Sequence, residues 1–186
     1  TIFYNFAPHL KNYRMRYQFL FLLFAVSSSL SSQVEKIKFG DFESWITRDI
    51  KESFLVGGQH KTLYEVGPKQ HIEGNKAFVN QGGCPWANSN VMAKVCGVVK
   101  TNVCVYPDDH NGGKCVKMCT QLVSCKAVGV VNITVLAGGS MFLGEMLEPI
   151  TNSKNPMSKM DLGIPFAKRP KAIRFDYKFV TPGSPN

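Results

Sequence analysis

An all-β fold, and within that class a β-sandwich, is what this sequence predicts, on three observations. Apolar runs are short and repeatedly interrupted by Gly, Pro and Asn. One run, Lys126–Ala137, is rich in β-branched residues and ends at Gly138-Gly139. A third segment, Ala172–Phe179, alternates apolar and charged residues with the period of two that a half-buried strand requires. Six to nine short strands separated by turns describe two packed sheets, with no long helix.

Taken in chain order, Trp45–Val56 is the first element, and its period is ambiguous. Trp45, Ile46, Ile50 and Phe54 would share a helical face, but Gly57-Gly58 and the β-branched content favour a strand. Val91–Tyr106 reads as strand with a break near residues 100–102. The polar stretch from Pro107 through Asp108, Asp109, His110, Asn111 and Gly112 to Gly113 reads as a turn. Lys126–Ala137 should be a central strand covered on both faces, as continuous β-branched runs usually are. Ala172–Phe179 should pair through the face carrying Ile173, Phe175, Tyr177 and Phe179, leaving Arg174, Asp176 and Lys178 in water.

The 186 residues are 44% hydrophobic, which suits one domain with a core of its own and excludes disorder. Domain boundaries follow from the N-terminal third. Residues 1–14 begin without Met and read as upstream translation. From Met15 to residue 32 the order is Arg16, an apolar run over 19–26, then a Ser-rich stretch, which is the anatomy of a secretory signal peptide. The apolar run is too short for a membrane span of roughly 20 residues. A single sandwich domain over 33–186, exported to the periplasm, the cell surface or the medium, is the expectation, and no Cys stands at the junction to take a lipid.

Formal charge is +9, from 22 Lys+Arg against 13 Asp+Glu, but three of those cations, Lys11, Arg14 and Arg16, fall within residues 1–32. What remains is modest for the size, and the densest basic stretch coincides with the wet face of the last strand. Nucleic acid is therefore not the expected partner. Six cysteines, Cys84, Cys96, Cys104, Cys115, Cys119 and Cys125, crowd into 42 residues. Export permits disulfides. Cys115 with Cys119 in one strand would be about 13 Å apart, beyond bridging distance, whereas Cys96 with Cys104 could close across a hairpin. Small buried thiols that never pair remain the other reading. Zinc lacks its C-x-x-C and histidine spacing.

Binding a sugar needs an aromatic face against the apolar side of a pyranose and amides or carboxylates for its hydroxyls. Trp86, Asn88 and Asn90 offer both, at alternating positions that an extended segment would aim to one side. In the competing reading Trp86 anchors a loop and the asparagines cap turns. Trp45 and Tyr64 are further aromatic candidates, for which core packing is the better account. Glycoside hydrolysis needs two facing carboxyl groups. Glu145 with Glu148, and Asp108 with Asp109, are the available pairs, without a context specific to hydrolysis. Asp108 to Asn111 offers oxygen ligands for Ca²⁺ but not the alternating spacing of a dedicated loop, so no cofactor is expected.

A resemblance adds to this. The stretch Pro85-Trp86-Ala87-Asn88-Ser89-Asn90-Val91, then Gly138-Gly139-Ser140-Met141-Phe142-Leu143-Gly144-Glu145, Glu148-Pro149-Ile150, Lys154-Asn155-Pro156, and Gly163-Ile164-Pro165-Phe166 through Arg169-Pro170-Lys171-Ala172 to Phe175-Asp176-Tyr177-Lys178, resembles the putative carbohydrate metabolism domain family from about Phe42 onward. That resemblance implies an exported gut-bacterial protein with a jelly-roll-like sandwich and a carbohydrate as partner. Members usually carry fewer cysteines, so any disulfide would be local to this chain. The family domain continues past the last strand seen here, which implies a truncated C-terminal end and an unpaired sheet edge open to association. A glycan-binding module of a polysaccharide-utilisation or adhesion system is the expected function, with a glycoside hydrolase or a non-binding structural module as the alternatives.

Overall fold

The computed structural model describes residues 34–80, 83–127, 131–152 and 155–181, and the unit that carries the fold begins at Ile37. The leader and the last five residues lie outside the described residues. Among those described, no helix is long and apolar enough to cross a membrane.

The fold is an all-β sandwich of short strands. Strand β1 (Trp45–Lys51) lies between β2 (His60–Val66), antiparallel to it, and β3 (Gln70–Glu73), parallel. The ambiguous first segment is thus a strand followed by a 3-10 turn at Phe54–Val56. Phe54, placed on the apolar face by the helical alternative, is 92% exposed. Strand β4 (Trp86–Asn88) pairs with β11 (Met141–Met146), whose other neighbour is β12 (Met160–Leu162). Gly144 makes that second pairing close: its φ is 139°, and a Cβ there would collide with the Asp161 carbonyl.

Three hairpins complete the sandwich. Strands β5 (Val91–Val95) and β6 (Val98–Asn102) are joined by the two-residue turn Cys96-Gly97. The expected break near residues 100–102 is therefore misplaced, because those residues lie inside β6 and the chain reverses where Cys96 and Gly97 take positive φ. Strands β7 (Val105–His110) and β8 (Gly113–Met118) are joined by Asn111-Gly112, with φ of 50° and 82°. Those values match the type I′ turn that Asn-Gly favours. Of the polar stretch read as a turn, only these two residues turn, and Asp108 and Asp109 belong to β7.

Strands β9 (Gln121–Ala127) and β10 (Val131–Ala137) form the third hairpin, in register from Val131↔Ala127 to Ala137↔Gln121. This corrects the reading of Lys126–Ala137 as one central strand. β-branched content marks strand but not how many strands, and here the chain folds back on itself into a two-stranded sheet with Leu122 and Leu136 exposed. The second correction is Ala172–Phe179. Its residues are neither strand nor paired among the described residues, and Ile173, Phe175, Tyr177 and Phe179 are all largely exposed. Alternation reports what a strand could bury, and no described neighbour covers this stripe.

Among the described residues, two apolar clusters form the core. Ile50, Leu63, Met92, Val99 and Val103 make one, and Trp45, Val66, Cys84 and Val105 the other. Tyr64 packs against both, so β2 is the seam between them.

Candidate functional site

Asn88 and Asn90 are buried, and their amides are spent on backbone. Asn90 Oδ1 accepts from the Cys104 and Val105 N–H groups, both at 2.9 Å. Its Nδ2 donates to the carbonyls of Tyr64 at 2.9 Å and Val105 at 2.7 Å. Asn88 Oδ1 accepts from the Asn90 N–H at 2.7 Å, and its Nδ2 donates to the same Tyr64 carbonyl at 2.8 Å. A sugar would have to open the core to reach them. They lock the end of β4 onto β2 and β7, and so fix where the Tyr64 ring points.

Trp86 is half-buried, with its Nε1–H donating to Lys38 O at 3.0 Å and its ring edge-on to Phe42 at 5.2 Å. Trp45 is deeper in the same cluster and donates to Phe42 O at 2.7 Å. Both indoles have their one donor satisfied internally, as anchors do. The carboxylate pairs are dispersed. Glu145 lies near Asn80 on the surface. Glu148, by contrast, is 1% exposed at its side chain and accepts from Arg48, the Phe78 N–H at 2.9 Å and the Met92 N–H at 2.7 Å. Asp108 and Asp109 pair with Lys117 and Lys114 across the β7–β8 hairpin, and successive residues of a strand project to opposite faces. Among the described residues, no three His, Cys, Asp or Glu side chains converge on a cation position.

All six thiols are free. The expected Cys96–Cys104 bridge is corrected by the hairpin itself. Cys96 occupies the closed end and is exposed, whereas Cys104 is buried beyond the open end, a five-residue strand away, or about 16 Å at strand rise.

Sequence reasoning named Tyr64 as a secondary aromatic candidate but missed the cleft it lines, about 510 Å³ between β2, β6, β7 and β9. Tyr64 and Tyr106 line it, their rings 5.9 Å apart and tilted by 52°. Tyr106 donates to Val103 O at 2.6 Å, and burial pushes its hydroxyl above the ordinary phenol range, so it stays a donor. Glu52 is enclosed beside the rings. Its Oε1 accepts from Thr101 N at 3.0 Å and Thr101 Oγ1 at 2.7 Å, and its Oε2 from Lys100 Nζ at 2.6 Å. His60, Thr62, Gln121 and Ser124 contribute further polar groups. The volume falls in the range of small-molecule sites. Chemically the cleft offers flat aromatic surface, several donors and one neutralised carboxylate. A signal for part of it was available: His60, Thr62 and Tyr64 fall on one face of β2 by period two. The partners at 100–106 and 121–124 are brought in only by the fold.

A buried charge cluster was also missed. Arg48 stands on the core-facing phase of β1 between Ile46 and Ile50, and its Nη1 donates to Glu65 Oε1 at 3.0 Å and Glu148 Oε1 at 3.1 Å. The Phe78 ring lies 5.0 Å from its guanidinium carbon. Burial pushes the Glu65 carboxyl up to about 8, against the pull of Arg48 and with help from the Glu148 charge. Two carboxyls share one guanidinium, and only one of them needs to be ionised to balance it.

The family model described as "Putative carbohydrate metabolism domain" matches residues 41–185. No curated protein and no solved structure matches the chain.

Proposed function

This chain belongs to the putative carbohydrate metabolism domain family, and on that premise we propose that it is an exported glycan-binding module whose recognition site is the Tyr64–Tyr106 cleft. The observation that carries the reading is the pair of tilted tyrosine rings lining a cleft otherwise furnished with hydrogen-bonding side chains. A pyranose presents an apolar C–H face to such a ring and hydroxyls to groups like Gln121 and Thr62. Gln121 donates one N–H to Val103 O and keeps its carbonyl and second N–H, and the Thr62 hydroxyl, which donates to Asp49 Oδ1 at 2.7 Å, can still accept.

Binding without hydrolysis suits the chemistry of the lining. A hydrolase needs a second carboxyl roughly 5–9.5 Å from the first. Of the described residues lining the cleft, Glu52 alone is acidic, and both its oxygens are already hydrogen-bonded to Lys100 and Thr101. The test is a glycan array probed with the wild-type protein and with Tyr64→Ala and Tyr106→Ala, each checked for folding by thermal melting. Loss of about 2 kcal/mol of binding by the folded variants, typical of aromatic hot spots, is expected. Undiminished binding by both variants places the sugar elsewhere.

A further inference from the structure

We propose that the ligand of this cleft is an acidic glycan, a sugar chain bearing carboxylate or sulfate groups. The inference rests on the reading of the cleft as the sugar site and adds the charge of what it takes.

Its basis is the balance of ionisable groups around the cleft. The acid among the described lining residues, Glu52, has 0% side-chain exposure, and three donors from Thr101 and Lys100 engage both its oxygens. An incoming ligand therefore meets almost none of its charge. Lys100 is different: its side chain is 20% exposed, and the contact to Glu52 uses one of its three N–H donors. The ion pair thus works as a mount that holds an ammonium at the cleft with donors left over, and the rotamer freedom an exposed lysine would lose on binding is already gone. Lys61 and His60 line the same cleft, and the nearby acid Asp49 is not among the lining residues and accepts the Thr62 hydroxyl at 2.7 Å, so the accessible charged side chains of the lining are basic. A cationic amino sugar would be opposed there. A neutral sugar would leave the lysine donors to water, whereas an anionic substituent meets them with charge-assisted hydrogen bonds, which are stronger than neutral ones.

The experiment is titration calorimetry of the full chain with a panel of uronate oligosaccharides, each paired with its neutral methyl ester, and with sulfated dextran paired with dextran. The pairs keep the sugar constant and change the charge, and the two acid classes distinguish carboxylate from sulfate. At low salt at least one acid should bind about tenfold more tightly than its neutral partner, with the preference shrinking as salt screens it. Lys61→Gln should reduce that preference. Removing Lys100 alone strands the Glu52 charge and risks the fold, so Glu52→Gln/Lys100→Met removes the pair together and should abolish the preference while Tyr64-dependent binding persists. Equal affinity for acid and neutral forms, with both lost in Tyr64→Ala, overturns the acidic-ligand inference and leaves the cleft as the sugar site. An acid preference untouched by Tyr64→Ala, Lys61→Gln and the double variant overturns both. Binding of no acid in the panel overturns the inference as well.

Discussion

Asn90 holds Tyr64 by its carbonyl, 2.9 Å from its own Nδ2, while its Oδ1 takes the N–H groups of Cys104 and Val105. One buried amide thus joins the strand that carries one cleft tyrosine to the strand that carries the other. Asn90→Ala leaves two buried N–H groups without an acceptor, and at roughly 1–3 kcal/mol for each unsatisfied group the expected loss of stability is about 3 kcal/mol. Urea denaturation checks this. A loss below about 1 kcal/mol would mean that water replaces the amide and that Asn90 does not hold the seam.

Trp86 separates anchoring from binding. Its ring packs on Phe42 beside the Trp45 cluster and its N–H is used by Lys38. Trp86→Ala should cost about 2–3 kcal/mol of folding free energy, below the usual range for a fully enclosed Trp because this one is half-buried. The folded protein should keep its glycan affinity. Calorimetry on Trp86→Ala beside Tyr64→Ala checks it, and a binding defect in the first with none in the second would move the aromatic platform back to the β4 loop.

The all-β class was legible because strand residues and turn residues alternate along the whole chain, and the Asn111-Gly112 hairpin declares its own turn type. Pairing was not legible. Whether Lys126–Ala137 spans a sheet or doubles back depends on whether a partner strand exists, which no local pattern records. For the site, Trp86, Asn88 and Asn90 were picked for chemistry that suits sugars equally well as cores. An amide that can meet two hydroxyls can also meet two peptide groups, and burial decides between them. Arg48 was overlooked for the opposite reason. Its place in the Ile46–Arg48–Ile50 phase marks it as core-facing once β1 is known to be a strand, and a charge in that phase implies a carboxylate partner.

The thiols offer a check on the hairpin register. With Cys96 exposed in the β5–β6 turn and Cys84 and Cys104 buried, a thiol reagent should modify Cys96 first and reach the other two only on unfolding. Burial also pushes the Cys84 thiol up, which lowers its thiolate fraction further. Mass spectrometry of the labelled native protein reads the order. Native protein carrying a Cys96–Cys104 bridge would contradict the β5–β6 pairing, since that pairing holds the two at opposite ends of the hairpin.

Glu65 makes stability depend on pH in a window that can be stated with its sign. Its carboxyl titrates near 8 in the folded chain against 4.5 for the ordinary group, so the folded state binds this proton more tightly than the unfolded state does. The contribution is complete below about pH 4.5, where both states are protonated, and is lost as pH rises toward and through 8. Its size is on the order of several kcal/mol, since each pKa unit is worth about 1.4. Glu65→Gln keeps an oxygen for Arg48 Nη1 and removes the titration, so the variant should lose less stability than wild type between pH 5 and pH 8. Comparing the two proteins at each pH cancels every other titrating group. Parallel curves would show that Glu65 stays ionised beside Arg48, and that Arg48 carries both carboxylates as a charged triad.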